Sequence, residues 1–565
     1  MKRLLALMTA LIVAALVAAC GGGESTTPDQ GGGAQTGTGE AAAPEVEPGG
    51  IFRMGTTSGP DSINPFVSYS ALSYILYTET YPTLVQYNQD FEIEGDWAES
   101  WETSDDGLVW TFTLKEGGTW SDGTPMTADD AAFTGNLIIE YGDGPASMLA
   151  PFLTYAQKVE APDPNTVVIT YEKPVGNVLP QLQQFFILPK HVVEPAVGNK
   201  GKGLKKWDPM AGGAQVGGGT FFIKQYEEKG TTILERNPGY YGTPANVDAV
   251  GVTVYQNADA MLAALDGGQL DAVDSLPPTL VSKYEDNPAY QLQIGDSTFI
   301  YDIGFNSNPD KPKNRELLDP KVRTALAHGV NRQAIIDTVL NGYGKPAATM
   351  FTTLSGQWLN TDIQPEAFDL ELGNQILDDL GYAKGSDGIR TKPDGGKMEY
   401  EVITPDSVDG LDRLFEIVAA DWEQLGVKVT QKKMDGTAAF EAIGAPDWKY
   451  EDFDIMIWDW VGYIDPDFML SVITCDQWGG WSDTGYCNPA YDELYKKQAT
   501  TVDQEARREI VWEMQQIQYD EKPYIHIAQT LNIAAYTKDW TNLKDPFLLG
   551  LSKIPWEQIG RAKAS

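Results

Sequence analysis

Hydrophobic and polar residues alternate along residues 108–115, which read LVWTFTLK. One face of this segment carries Leu108, Trp110, Phe112 and Leu114. A period of two residues predicts a half-buried β-strand, because successive side chains of a strand point to opposite faces of its sheet. The glycines that follow predict a turn directly after this strand.

Strand and helix signals are mixed through the rest of the chain. Residues 247–276 predict a strand, a helix and a second strand, with Asn257 as the helix N-cap and Gly267 as the left-handed residue at the helix end. Asp319 and Pro320 are placed as the N-cap and first residue of another helix. Alternation of this kind predicts α/β lobes with partly parallel sheets.

The acidic stretch SDGTPMTADDAAF, residues 121–133, admits two interpretations. Its aspartates, Asp122, Asp129 and Asp130, could form a carboxylate site for catalysis or for calcium. They could equally serve a turn and a helix cap. Asp-Gly is a turn signal, and Thr127 followed by Asp130 matches a variant of the capping box. We therefore predict that these aspartates are structural.

The N-terminus predicts export. Two basic residues precede an apolar run from Leu4 to Ala19, which is the pattern of a signal peptide over residues 1–19. The segment LVAAC resembles the lipobox of bacterial lipoproteins, and this resemblance implies that Cys20 is diacylated and becomes the new N-terminus. The alternative is a plain secretory signal with an incidental cysteine. Residues 20–49 offer almost nothing to a core and predict a flexible tether.

Composition and charge argue against several partners. The chain has 565 residues, which is too long for one core, and 42% of them are hydrophobic, as in a globular protein. The net charge of −39 argues against nucleic acid and anionic lipid, because phosphate binding needs clustered Lys and Arg. No later run reaches the ~18 apolar residues of a membrane span, so we expect membrane attachment through the lipid anchor only.

Two of the three cysteines could form a disulfide. Lipidation of Cys20 would leave Cys475 and Cys487 as an even pair in an exported protein, where disulfides persist. A disulfide closing a loop of this size contributes about 3 kcal/mol in the chain-entropy treatment. Two free thiols are the alternative interpretation.

Residues 96–135 resemble the signature segment of bacterial extracellular solute-binding proteins of family 5, the dipeptide, oligopeptide, nickel and oligosaccharide receptors of ATP-binding-cassette (ABC) importers. The segment reads DWAESWETSDDGLVWTFTLKEGGTWSDGTPMTADDAAFTG. It carries the Ala-Glu-Ser-Trp, Asp-Gly-Thr-Pro and Thr-Ala-Asp-Asp parts of the family pattern. Further similar blocks follow in the same order at 217–242, 265–273, 305–308, 319–347, 369–382 and 485–498.

The resemblance implies an α/β, two-lobed periplasmic-binding-protein-like fold of type II, cluster C. Such a fold has an extra subdomain and a ligand cleft between the lobes. By this likeness lobe I comprises 50–90, 205–297 and 528–565, the extra subdomain 91–204, and lobe II 298–527. Hinge strands near 296–300 and 525–530 would join the lobes.

The resemblance also implies the function. We expect a monomeric, extracytoplasmic receptor, lipid-anchored to the cell membrane on its outer face or periplasmic side, that captures di- or oligopeptides by lobe closure. It would deliver them to permease subunits with cytoplasmic ATPases. An oligosaccharide receptor of the same family is the alternative, and a surface glycoside hydrolase or a signalling receptor is a remote one.

Catalytic and metal motifs are missing from the sequence. The histidines, His191, His328 and His526, are far apart in the chain, and nickel or zinc sites usually need His or Cys at close spacing. The sequence has no Gly-x-Ser-x-Gly, Walker loop or His-Glu-x-x-His. We expect no enzyme, no cofactor and no protein metal site, although a chelated metal could still be carried as a complex.

The ligand pocket is expected at the end of a strand within residues 452–468, DFDIMIWDWVGYIDPDF. Asp465-Pro466 matches an Asp-Pro pair that the family places on the ligand-facing side of lobe II. Peptide-binding relatives have an aspartate three residues before that pair, where it takes the peptide α-ammonium group. Here that position is Gly462.

The nearest acid to this position is Asp459, flanked by Trp458 and Trp460. A buried ammonium group without a partner would cost several kcal/mol, so simple peptides need Asp459 to reach the same space. The tryptophans suit stacking on sugar rings or on bulky side chains, or they are core residues of lobe II. These two interpretations stay open at this point.

Overall fold

The structure is a computed structural model that describes residues 46–542 and 556–562. Single positions at 69, 89, 90, 394, 407 and 409 are left out of this description. The predicted signal peptide at 1–19 and Cys20 lie outside the described residues, as does most of the tether. Within the described ranges, no helix has the length and apolar character to cross a membrane.

A large mixed sheet forms the frame of the protein. Among the described residues it has eleven strands. In spatial order these are Lys428–Met434, Glu399–Pro405, Ile455–Val461, Tyr290–Phe305, Tyr524–Thr537, Ala272–Val273, Ile51–Thr56, Ala249–Val254, Thr231–Arg236 and Phe221–Gln225, with Gly344–Pro346 beside Tyr524–Thr537. Parallel and antiparallel pairs both occur, as the alternation of helices and strands predicts.

Two long strands run through the whole sheet, and we call Tyr290–Phe305 and Tyr524–Thr537 the connecting strands. They pair antiparallel along both halves, but their register breaks in the middle. From Asp296 to Ile300 the first strand advances four residues while the second moves two, from Leu531 to Gln529. A bulge of this kind bends a strand and marks the passage from one lobe to the other. The fold is therefore two-lobed.

The first lobe packs helices on the sheet half that contains Ile51–Thr56. Its helices are Ala71–Thr80, Ala258–Asp266 and Val281–Glu285. The predicted N-cap is confirmed, because the Asn257 side chain accepts a hydrogen bond from the Ala260 amide. The predicted left-handed glycine is wrong by one residue: Gly267 has φ −80°, and Gly268 has φ +70°.

The second lobe covers both faces of the other sheet half. Its helices are Pro320–Ala327, Arg332–Val339, Leu370–Asp379, Leu411–Gln424, Gly436–Gly444, Asp467–Ser471, Pro489–Thr500 and Gln504–Glu521. Asp319 caps the first of them by accepting from the Lys321 amide, as predicted. Ile303 and Ile457 enter one apolar core, while Met456 and Tyr524 enter a second core on the opposite face. The central strands are covered on both faces, and the first three residues of Ile455–Val461 are buried.

A third part, between the first two of the three segments predicted for the first lobe, has its own four-stranded sheet and apolar core. Its strands are Ala98–Thr103, Val109–Leu114, Thr166–Tyr171 and Ala156–Asp163, and its helices are Ala128–Tyr141, Val178–Leu182 and Lys190–Val193. The same apolar core takes in Phe66, Tyr77 and Tyr81 from upstream. The division at residues 90 and 204 stays a prediction.

Short elements complete the fold. Val85–Tyr87 pairs with Ile93–Gly95, and Val46–Glu47, Gly560–Ala562 and Trp540–Thr541 form a small sheet. The 3₁₀ helices are Ala150–Leu153, Glu194–Ala196, Asn199–Gly201, Leu204–Lys206, Pro278–Leu280, Arg315–Leu318, Thr353–Trp358, Cys475–Gln477 and Trp556–Gln558.

The acidic stretch at 121–133 is structural, as predicted. Thr127 and Asp130 form a capping box at the start of Ala128–Tyr141. The Asp130 carboxylate also accepts hydrogen bonds from the Lys190 amide at 3.0 Å and from the Trp120 indole at 3.3 Å. Asp122 accepts from the Thr124 amide in the preceding turn. The carboxylates of Asp122 and Asp130 therefore hold local structure together.

Candidate ligand-binding site

The strand Ile455–Val461 ends where the two lobes meet. The amide of Gly462, the next residue, donates a hydrogen bond of 2.8 Å to the carbonyl of Thr298, which lies in the register break of the first connecting strand. Ile464 then packs against Tyr87 of the short hairpin outside the second lobe. The segment after the strand therefore lies at the boundary between the second lobe and the rest of the protein.

The predicted site residues on this strand point to opposite faces of the sheet. Trp458 and Trp460 share one face because they alternate with Asp459. In the cross-strand register Asp459 lies opposite Tyr301, whereas Trp458 lies opposite Asp302. The structure thus separates the aspartate from the two tryptophans that the sequence groups with it.

Asp459 has one buried carboxylate oxygen without a hydrogen-bond partner among the described residues. The residue is half-buried, and the oxygen is Oδ1. Burial raises the pKa of Asp459 to about 6. An enclosed carboxylate without a partner is costly, so the side chain is set up to take a cation or a hydrogen-bond donor.

Asp465 is held by an arginine. Both of its carboxylate oxygens accept from the Arg507 guanidinium, at 2.7 and 2.9 Å. Arg507 is fully buried, donates from Nε to Gln498 at 3.0 Å and lies over the Trp358 ring. The Asp465 carboxylate therefore orients the segment after the strand, which is a different contact from the ligand contact that the sequence predicts.

Trp460 connects to a buried acidic cluster that the sequence does not reveal. Its indole Nε1 donates to Asp483 Oδ2 at 3.1 Å, and the Tyr524 hydroxyl donates to Asp483 Oδ1. Asp302 lies nearby, fully buried, and its oxygens have no partner within the described part of the chain. Burial, reinforced by Asp483 and Asp459, raises the pKa of Asp302 well above its usual range. These four residues come from four separate segments of the chain, so no local pattern marks them.

A disulfide between Cys475 and Cys487 closes the loop beside this cluster, with the two Cα atoms 4.5 Å apart. The loop contains Trp481 and Asp483. The Cys475 amide donates to Asp492 at the start of the next helix. The bond therefore fixes both ends of a segment that borders the candidate site.

The three histidines have separate surroundings. His191 pairs with Asp122 at 2.8 Å, and His328 Nδ1 lies 2.8 Å from the Ala367 carbonyl. Burial lowers the pKa of His526 to about 3. Over the described residues, no group of three or more His, Cys, Asp or Glu side chains is arranged to hold a metal ion.

Residues 92–481 match the family "Bacterial extracellular solute-binding proteins, family 5 Middle". The chain belongs to this family. The match covers the predicted extra subdomain and most of the segment predicted as lobe II. It supports the resemblance that the motifs at 96–135 first indicated.

Relatives of this family 5 protein are named as binding proteins, in one case of an ABC transporter. A protein of Brucella ovis named as an ABC transporter peptide-binding protein is 31% identical over 350 residues, covering 61% of this chain and 63% of the relative. The chain thus spans less than two thirds of that relative's length. The D,D-dipeptide-binding periplasmic protein DdpA of Escherichia coli is 24% identical over 496 residues, covering 85% and 89%.

A solved structure supports the fold of this family 5 protein. The ABC transporter substrate-binding protein CtaP from Listeria monocytogenes superposes with a TM-score of 0.78 at 23% identity. The superposition covers 91% of this chain and 100% of the other. The fold is that of the two-lobed periplasmic binding proteins.

Proposed function

We propose that this family 5 protein is the substrate-binding component of an ABC importer and captures peptides between its lobes. The unpaired Oδ1 of Asp459 is the observation that supports a ligand with an ammonium group. The strand that carries Asp459 ends at the lobe boundary, where a bound ligand would contact both lobes. The names of the Brucella and Escherichia relatives point to peptides as well.

In this proposal Asp459 takes the role of the acid that peptide-binding relatives carry at the position of Gly462. The peptide α-ammonium group would pair with the Asp459 carboxylate. This contact gives the Asp459 carboxylate a hydrogen-bond donor of opposite charge. It also replaces the water that the ammonium group loses on binding, so neither charge stays buried without a partner. Asp465 contributes by holding the segment after the strand in place through Arg507.

An oligosaccharide is the second candidate ligand. The half-buried Trp458 and Trp460 on one face of the strand favour it, because indole rings stack on sugar rings. Against it, the Trp460 ring is held by its hydrogen bond to Asp483 and packs against the core of the second lobe. We therefore place peptides first.

The proposal includes the cellular setting. We infer an exported protein anchored through a lipid on Cys20, acting as a monomer without cofactor or catalysis, and presenting its ligand to permease subunits. The lipobox-like LVAAC and the polar tether at 20–49 support the anchor. The family of solute-binding proteins supports the receptor role over a hydrolase or a signalling module.

Calorimetry of the purified full chain tests the peptide proposal. We expect binding of tri- to pentapeptides with a free N-terminus and a loss of about tenfold or more on N-acetylation, because the charged contact to Asp459 disappears. Asp459→Asn should show the same loss for free peptides. Asp310→Asn, which changes an exposed aspartate elsewhere in the second lobe, is the matched control. Equal affinity for free and acetylated peptides would contradict the role of Asp459.

A further inference from the structure

An aromatic group lies directly after the strand that carries Asp459. The Phe468 ring contacts Tyr463 and Trp481, with centroid distances of 5.0 and 5.4 Å, both in edge-to-face geometry. Tyr463 is 41% exposed and Trp481 is 56% exposed, which places both among the most exposed large apolar side chains of the described residues. We call these three residues the aromatic patch. Exposed apolar groups of this kind mark interaction sites.

The aromatic patch lies at the lobe boundary. Tyr463 follows Gly462, whose amide donates to Thr298 in the register break of the first connecting strand. Ile464, the next residue, is buried against Tyr87 of the short hairpin outside the second lobe. Tyr463 therefore lies beside a contact between the second lobe and the rest of the protein, while 41% of its surface stays exposed.

Three aspartates on the segments that carry the patch, Asp465, Asp467 and Asp483, are already engaged. Asp465 pairs with Arg507 through both oxygens, and Asp467 Oδ1 accepts from the Gln498 side chain at 2.7 Å. Asp483 accepts from the Trp460 indole and the Tyr524 hydroxyl. A sugar needs free carboxylates or amides for its hydroxyl groups as well as a ring to stack on. These three carboxylates are therefore not free for sugar hydroxyls, which favours an apolar ring over a sugar on the exposed faces of the patch.

We propose that Tyr463, Phe468 and Trp481 form a subsite for an aromatic side chain of a bound peptide. The inference rests on the proposed function and adds a preference to it. The ligand ring would lie against the exposed Trp481 and Tyr463 rings, with Phe468 fixing their positions from behind. This assigns ring recognition to the segment after the strand, and not to Trp458 and Trp460, which pack on the core of the second lobe.

Calorimetry with a peptide series tests the subsite. The probes are tri- to pentapeptides of alanine that carry one phenylalanine at each position in turn, with the all-alanine peptides as reference. We expect one phenylalanine position to raise affinity by about tenfold in the wild-type full chain, because the ligand ring buries apolar surface and adds edge-to-face or stacked contacts to the patch. Trp481→Ala and Tyr463→Ala should remove most of this gain and leave the all-alanine peptides within about twofold.

Two further variants sharpen the test. Tyr463→Phe keeps the ring and should retain the preference, whereas a role for the hydroxyl would remove it and contradict the ring subsite. Phe368→Ala removes another exposed aromatic residue of the second lobe, 40% exposed, and should leave the preference unchanged.

The outcomes separate the subsite from the proposed function. If peptides bind but Trp481→Ala weakens phenylalanine and all-alanine peptides equally, the subsite is wrong and the peptide receptor stands. If folded wild-type protein binds no peptide, the proposed function fails and the subsite fails with it. If Trp481→Ala abolishes binding of a maltooligosaccharide probe, the patch binds sugar and the peptide subsite is overturned.

Discussion

Arg507 donates two hydrogen bonds to Asp465 across 42 residues of sequence, from the helix Gln504–Glu521 to the segment that follows the strand Ile455–Val461. The guanidinium is completely buried. Burial alone would lower the pKa of Arg507, but the charge and hydrogen bonds of Asp465, together with the charge of Asp467, outweigh it, so that the pKa is raised. The pair thus fixes the segment after the strand Ile455–Val461, which borders the candidate site, to a helix of the second lobe.

Removing one partner of this pair should be strongly destabilising. Arg507→Met leaves the Asp465 carboxylate in a largely enclosed position without its counter-charge, and we expect the free energy of unfolding to fall by about 3–5 kcal/mol. Arg508→Met is the matched control, because Arg508 forms an ion pair at 3.5 Å with the exposed Glu505. Its effect should stay within about 1 kcal/mol. Urea denaturation measures both, and equal effects would show that Asp465 is not dependent on Arg507.

The acidic stretch at 121–133 offers a second stability test. Asp130 accepts hydrogen bonds from two backbone amides and an indole, while its neighbour Asp129 is exposed. Asp130→Ala should therefore lower the free energy of unfolding by about 1–3 kcal/mol, and Asp129→Ala by about 0.5 kcal/mol or less. Peptide affinity should stay unchanged in both variants. A loss of affinity at normal stability would restore a ligand site in this stretch.

The sequence predicts a structural feature well when the residues that form it are close together in the chain. Asn257 and Asp319 were predictable as helix caps because an N-cap binds an amide two or three residues away. Even there, the left-handed position shifted from Gly267 to Gly268, since glycine tolerates it at either residue. Asp459 was grouped with its tryptophan neighbours, although the period of a strand places it on the other face.

The rest of the candidate site depends on contacts between distant segments. Asp302, Asp483 and Tyr524 meet only because the connecting strands bring two of them beside the loop that holds the third. The ion pair between Asp465 and Arg507 likewise forms between segments that are distant in the sequence. A single sequence shows the residue types at these positions but not which of them become neighbours, so the free and the engaged carboxylates could not be told apart.

Cys20 provides the test of membrane attachment. Cys20→Ser removes the thiol that a lipid would modify, so the variant should appear in the soluble fraction when the wild-type protein sediments with membranes. Fractionation followed by immunoblotting measures this. A Cys475→Ser, Cys487→Ser double variant is the control, because it changes cysteines without touching the signal. Membrane retention of Cys20→Ser would contradict the lipid anchor.

Ligand affinity should depend on pH through Asp459. Burial raises the pKa of this carboxyl to about 6 in the free protein, and pairing with an ammonium group would lower it in the complex. Because the ligand favours the ionised form, binding must release a proton when the pH is below about 6. Affinity for a free peptide should therefore be highest near pH 7 and fall as the pH drops through 6. It should also fall above pH 8, where the peptide α-amino group loses its charge at a pKa of about 7.7–8.0.

Calorimetry in buffers of different ionisation enthalpy measures both the affinity and the proton release. Asp459→Asn and the N-acetylated peptide serve as paired controls, since each lacks one of the two titrating groups. The variant should lose the decrease below pH 6 and also most of the decrease above pH 8, because without the Asp459 carboxylate the protein no longer favours the charged form of the peptide amine. The acetylated peptide should lose both decreases as well, because it has no ammonium group that would favour the ionised form of Asp459. A decrease below pH 6 that persists in Asp459→Asn would assign the titration to another carboxyl, and Asp483, whose pKa burial raises to about 7, would be the next to substitute.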